Sequence, residues 1–141
     1  MLERDMSAEA DIQLSLPALP SSVTIVRQAI GGLADALEWN GDFAADVKLA
    51  ASEACTNVVV HAYENGPGPL DVHIWFSDDQ LRLAIDDKGG GMSPSLAARR
   101  PSLGIGLPLM VALCDTFDLA AREDGSTRVQ LVFNLDRAGG E

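Results

Sequence analysis

The sequence predicts an α/β protein: a two-layer sandwich in which one mixed, mostly antiparallel sheet carries helices on one face. Three observations lead there. Two adjacent stretches, 23–39 and 42–63, are helix-length, and in the first of them apolar residues recur at three- and four-residue steps, the mark of an amphipathic helix. Two pairs of short apolar segments, 70–76 with 81–85 and 117–122 with 128–135, are each joined by a polar turn and read as hairpins. Hairpins mixed with helices, without a regular strand-helix alternation, favour an antiparallel sheet over a parallel doubly wound one.

Element by element, Ile12, Leu14 and Leu16 alternate with polar residues like a short strand, and 17–22 is a turn segment rich in Pro and Ser. Ser21 or Ser22 is then expected to cap the first helix. Its apolar stripe is Val23, Val26, Ile30, Leu33, Ala36 and Leu37, and Asn40-Gly41 ends it. Asp42 is the expected cap of the second helix, and the ENGPGP loop at 64–69 stops it, because proline and glycine cannot continue the helical ladder. A hairpin turning at 77–80 follows, and then three consecutive glycines, 89–91, break the strand pattern. A connector over 92–103 leads to Gly104-Ile105-Gly106 and an apolar helix over 107–116. Two closing strands meet at an Glu-Asp-Gly-Ser turn.

The bulk properties set limits. A chain of 141 residues is one ordinary domain, with 12–136 expected as the folded unit between a flexible N-terminus, 1–11, and a tail, 137–141. No apolar run approaches the roughly 18 to 20 residues of a membrane span. The start, MLERDMSAEADIQ, lacks the basic and apolar pattern of a secretory signal. Cys55 and Cys114 fall in helical segments and suit reduced, packed thiols, so the expected location is cytoplasmic. A net charge of −11 argues against direct nucleic-acid binding, which needs clustered Lys and Arg. The expected partners are proteins and small ligands. A nucleotide stays compatible, since backbone amides and a metal ion can hold phosphates locally.

The segment 49–65, LAASEACTNVVVHAYEN, carries the most information. Glu53, Asn57 and His61 recur every four residues and so share one face of an otherwise apolar helix. Such a line fits the floor of a site, although a helix edge can hold three polar residues with no ligand. Asp87-Lys88-Gly89-Gly90-Gly91 ends a strand, where a carboxylate can accept a ligand's hydrogen bond and glycines admit close backbone approach. By itself it also reads as a simple turn. Gly104-Ile105-Gly106 opens a helix whose free amides suit phosphate, but no Gly-Lys-Ser or Gly-Lys-Thr follows, so it is not a Walker loop.

In order, a Glu-x-x-x-Asn helix, a strand-end Asp-x-Gly-x-Gly, a connector, a Gly-x-Gly helix start and Gly-x-Thr at 125–127 resemble the GHKL ATPase superfamily. The wording SEACTNVVVHAYEN and the single-domain length most resemble its anti-sigma factor serine kinases of bacteria. The resemblance implies the Bergerat-type ATP-binding fold, with ATP and Mg²⁺ as cofactors. It implies Glu53 as general base, Asn57 as an oxygen ligand of Mg²⁺, and Asp87 as acceptor of the adenine amino group. Gly89, Gly91 and Met92 would shape the adenine pocket, Gly104, Ile105, Gly106 and Leu107 would wrap the phosphates, and Thr127 would complete the adenine end.

Less secure are His61, as readily a structural histidine, and Arg27, which falls where the resembling kinases meet a partner and equally suits a solvated helix. Arg99 and Arg100 lie in what would be the ATP lid, where the connector is short and lacks the Thr-Lys-rich stretch of many relatives. The implied activity is serine phosphorylation of an anti-sigma-factor antagonist by a protein that also binds a sigma factor, with homodimerisation suggested. Three alternatives stay open: a regulatory module that binds nucleotide without transferring phosphate, a detached histidine-kinase catalytic domain, and a switch kinase of a stress-signalling scaffold.

Overall fold

The computed structural model describes residues 9–89 and 106–139. Its elements in order are β1 (Ile12–Pro17), α1 (Pro20–Ala36), α2 (Gly41–Asn57), a π-helical turn (Val58–Ala62), β2 (Pro69–Phe76), β3 (Gln80–Asp87), α3 (Gly106–Leu113), β4 (Thr116–Ala121), β5 (Thr127–Asn134) and a closing 3₁₀ turn (Leu135–Ala138). The expected elements are all present. The sheet order is β1-β2-β3-β5-β4, and every neighbouring pair is antiparallel, so among the described residues no parallel pair makes the sheet mixed. With β5 inserted between them, β3 and β4 run in the same direction and α3 lies on the connection between them.

Register explains which face each strand buries. Val72 pairs with Ile85, Ile85 with Val129, Ile74 with Leu83 and Leu83 with Leu131, so these side chains share one face. All are buried in the core with Val26, Ile30, Val47, Ala50 and Ala54 of the helices. α2 is the central helix, packing against α1, α3 and β3. Its many alanines let it lie close to its neighbours. On the opposite face, Asp86 takes a two-pronged contact from Arg128 at 2.7 and 2.8 Å, and Trp75 stacks on His73 at 5.8 Å. No helix among the described residues is long and apolar enough to cross a membrane.

Three local expectations are corrected. Neither Ser21 nor Ser22 caps α1: Leu19 occupies that position without a side-chain bond, Pro20 opens the helix, and the Ser22 hydroxyl turns back to the Pro17 carbonyl at 2.6 Å. Asp42 lies inside the first turn of α2, and the cap is Asn40, whose Oδ1 accepts from the Phe43 amide at 2.8 Å. The second helix is not α-helical throughout. It widens to a π turn after Asn57, across Val58, Val59 and Val60, three branched side chains that crowd an α turn.

Asn40 donates to the carbonyls of Arg137 and Gly139 at 2.7 and 2.9 Å, Ala138 is buried, and the Arg137 guanidinium reaches Asp115 at 3.2 Å.

Candidate nucleotide site

Asp87 ends β3 and is only 3% exposed. It lies two residues past Ile85 and so points to the helix side of the sheet, beside Thr127 of β5, its cross-strand partner. The Thr127 hydroxyl donates to Asp87 Oδ2, and the Gly89 amide donates to Oδ1 at 2.9 Å. A carboxylate oxygen has room for two hydrogen bonds, so this pair of contacts fixes the group while leaving acceptor capacity for a ligand. Thr127 is itself set by the preceding turn. Gly125 takes a φ of +89°, which favours glycine, and Arg122 N–H bonds the Ser126 carbonyl at 2.8 Å. Asp124 accepts from the Ser126 hydroxyl and amide, and these bonds hold its carboxyl below the usual range.

Glu53 and Asn57 sit one turn apart on α2. Glu53 is half-buried, Asn57 is 6% exposed, and the Asn57 amide nitrogen is buried with no hydrogen-bond partner among the described residues. A buried donor left in this condition costs about 1 to 3 kcal/mol, which a ligand oxygen would recover. His61 falls on the π turn, so the expected straight line of three residues holds for Glu53 and Asn57 and then changes pitch. Between them, Cys55 is inert: burial pushes its thiol up to about 12.

Two glycines show where backbone approach is closest. A Cβ on Gly89 would stand 2.0 Å from the Ala62 carbonyl oxygen and 2.7 Å from the Tyr63 ring. On Gly68 it would stand 2.3 Å from the same ring. The ring of Tyr63 thus occupies the space that side chains at 68 and 89 would need. Its hydroxyl donates to the Pro69 carbonyl and accepts from the Lys88 amide at 2.9 Å. Sequence reasoning gave Tyr63 no role. The available signal was an aromatic residue at a helix exit with glycines on both segments that return past it.

Elsewhere, Gly106 is the first residue of α3, and Leu107 is half-buried against the core. Arg27 is exposed on α1. Gly91, Met92, Arg99, Arg100, Gly104 and Ile105 lie outside the described residues. What the structure joins is therefore the end of β3, Asp87 with Thr127 and Gly89, and the exit of the α2 helix, which lies against Gly89. These residues fit a nucleotide. The anchored Asp87 acceptor suits an exocyclic amine, and the unpaired Asn57 donor suits a phosphate oxygen, with the amide's own oxygen of the hard type that Mg²⁺ prefers.

The class defined by this fold and site is the histidine kinase-like ATPase domain: the model of that family matches residues 16–133, and the chain belongs to it. Within it the chain belongs with the RsbW serine-protein kinases. It is 32% identical to serine-protein kinase RsbW of Bacillus licheniformis over 94% of this chain and 91% of that protein. With RsbW of Bacillus velezensis the identity is 35%, covering 94% and 92%, and with that of Bacillus subtilis 34%, covering 78% of each. Among solved structures, a Mycobacterium tuberculosis protein with RsbU and RsbW domains superposes with a TM-score of 0.66 at 20% identity, over 86% of this chain and 32% of that longer one. The SiaB-SiaC complex of Pseudomonas aeruginosa gives 0.62 at 12% identity, over 89% and 91%. At these identities the structural likeness speaks for the fold.

Proposed function

We propose that this chain is an ATP-dependent protein serine kinase that acts as an anti-sigma factor in the bacterial cytoplasm. It holds a sigma factor inactive and phosphorylates a serine on the antagonist protein that competes for it. The observation that carries the nucleotide half of this proposal is the buried Asp87 acceptor, held by Thr127 and Gly89 at the end of β3. Kinship with the RsbW serine-protein kinases supports the rest.

In this mechanism the serine Oγ of the antagonist attacks the terminal phosphorus of ATP, the bond to the bridging oxygen breaks, and ADP leaves. Glu53 takes the hydroxyl proton, a role that needs a carboxylate one helical turn from the residue facing the phosphates. Asn57 would hold Mg²⁺, which would neutralise phosphate charge when bound. Asp87 accepts the adenine amino group, and Gly89, Gly91, Met92 and Thr127 form the pocket around it. Gly104, Ile105, Gly106 and Leu107 receive the phosphates, Arg99 and Arg100 close over them, and Arg27 meets a partner. A new phosphate adds charge near −2 to the antagonist surface, which repels a protein of net charge −11 and ends docking. One enzyme thereby resets its own release. The binding proteins are proteins rather than nucleic acid, and the kinase works as a homodimer.

The experiment is a thermal melt with Mg-ATP, Mg-ADP and Mg-GTP, followed by transfer of labelled phosphate from ATP to the antagonist. Nucleotide at about one hundred times its dissociation constant should add roughly 2.7 kcal/mol. Stabilisation by adenine nucleotides and label on a serine are the expected results. Absence of any shift at millimolar nucleotide would remove the ATP site.

A further inference from the structure

Tyr63 stands where three segments meet. It follows the π turn that ends the Glu53 and Asn57 helix, its hydroxyl lies between the Pro69 carbonyl that opens β2 and the Lys88 amide that follows Asp87, and its ring fills the space beside Gly68 and Gly89. The backbone after Asp87 is pinned at two successive amides. Lys88 N–H bonds the Tyr63 hydroxyl at 2.9 Å, and Gly89 N–H bonds Asp87 Oδ1 at 2.9 Å. The second bond exists only while the chain keeps its turn at Lys88, and the first bond holds that turn. Release of the Lys88 amide would let this peptide rotate and take with it one of the two contacts that orient the Asp87 carboxylate.

We propose that Tyr63 is a positioning residue for base recognition, its hydroxyl acting as a strut that holds the 87–89 turn, and with it the Asp87 carboxylate, against the exit of the helix that bears Glu53 and Asn57. This inference rests on Asp87 being the base acceptor. The hydroxyl is suited to a double role because it gives its proton to Pro69 and accepts from Lys88 at once. Burial raises its titration above the usual tyrosine value, opposed in part by the Lys88 bond, so it remains a neutral O–H at neutral pH. The two glycines serve the same contact. Each lacks the Cβ that would otherwise collide with the Tyr63 ring, so the ring, the glycines and the hydroxyl form one joint.

Tyr63→Phe keeps the ring between the glycines and deletes only the strut. Calorimetric titration of the full chain with Mg-ATP and Mg-GTP, beside initial rates at varied ATP, should show the dissociation constant for ATP rising about five- to tenfold, as expected for one lost hydrogen bond. The constant for GTP should move by less than about twofold, and kcat at saturating ATP likewise, since a positioning defect in base binding falls on KM. Amide exchange followed by NMR provides a readout independent of nucleotide: the Lys88 amide should exchange faster in the variant. An unchanged ATP constant, an equal loss for ATP and GTP, or unchanged Lys88 exchange overturns the strut. A wild-type protein that binds ATP and GTP alike instead overturns the base-acceptor assignment, and that result is seen without the variant.

Discussion

Asp87 and Asn57 are both nearly buried polar residues of one candidate site, 3% and 6% exposed, yet their surroundings differ in kind. Asp87 has a protein partner on each carboxylate oxygen, whereas the Asn57 amide nitrogen has none among the described residues. The Asp87 end thus has both carboxylate oxygens held before any ligand arrives. The Asn57 end has a donor that no described residue satisfies. A pre-built acceptor costs the ligand little ordering and confers selectivity, while an unsatisfied donor makes the empty state less stable and adds to the gain on binding. Specificity and catalysis are therefore expected to respond to different substitutions.

The largest effect should come from Glu53→Gln. It keeps the shape of the side chain and removes the proton acceptor, so phosphoryl transfer to the antagonist should fall by about a hundredfold or more, measured in a single turnover with labelled ATP. ATP affinity and the melting temperature should hardly move. A parallel loss of binding would place Glu53 among the structural residues and erase the division between the two ends.

Asp87→Asn tests the other end. A charge-assisted hydrogen bond contributes about 1.5 to 3 kcal/mol, so ATP affinity should drop roughly ten- to a hundredfold, with the preference over GTP reduced, in calorimetric titrations. Undiminished preference for ATP would mean that the base is read elsewhere. Asn57→Ala sharpens the contrast by its asymmetry. Removing a donor that has no partner among the described residues should cost the nucleotide-free protein at most about 1 kcal/mol in chemical denaturation. The same change should weaken Mg-ATP about tenfold and metal-free ATP by less, because the lost phosphate contact weakens both and the lost Mg²⁺ ligand only the first. Equal loss with and without Mg²⁺ would count against its assignment to the metal.

The two ends also differ in how legible they were in the sequence. Among the described residues the α-helices and strands were all located, because periodicity, apolar runs and turn residues are local signals: Val26, Ile30 and Leu33 repeat on one face of α1, and 70–76 and 81–85 flank a short turn. The start of α2 is fixed in part by partners that are not local. Asn40 caps α2 while bonding Arg137 and Gly139, about a hundred positions away in the chain, and no window around Asp42 contains that information. The insertion of β5 between β3 and β4 is equally nonlocal, and it is what brings Thr127 to Asp87. The candidate site residues came as an ordered set of motifs through family resemblance, and their spacing alone left turns and helix edges as rival explanations. Tyr63 was missed because its significance lies in the missing side chains of Gly68 and Gly89, and an absent Cβ is informative only once the backbone around it is known.

Thr127→Val should give the smallest effect and is the finest probe of the comparison. The substitution keeps the branched shape that fits β5, where Thr127 is only 1% exposed, and deletes the hydroxyl bonded to Asp87 Oδ2. Asp87 would keep its Gly89 contact, so the carboxylate would be loosened and not released. Only part of that lost bond reaches the ligand, through the loosened carboxylate, so ATP affinity should fall roughly two- to tenfold. The rate of phosphoryl transfer at saturating ATP should stay at the wild-type value, because Glu53 and Asn57 lie on another element. If that rate falls as far as the affinity does, the Asp87 end and the Glu53 helix behave as one rigid unit, and the joint at Tyr63 is the contact through which the change would pass.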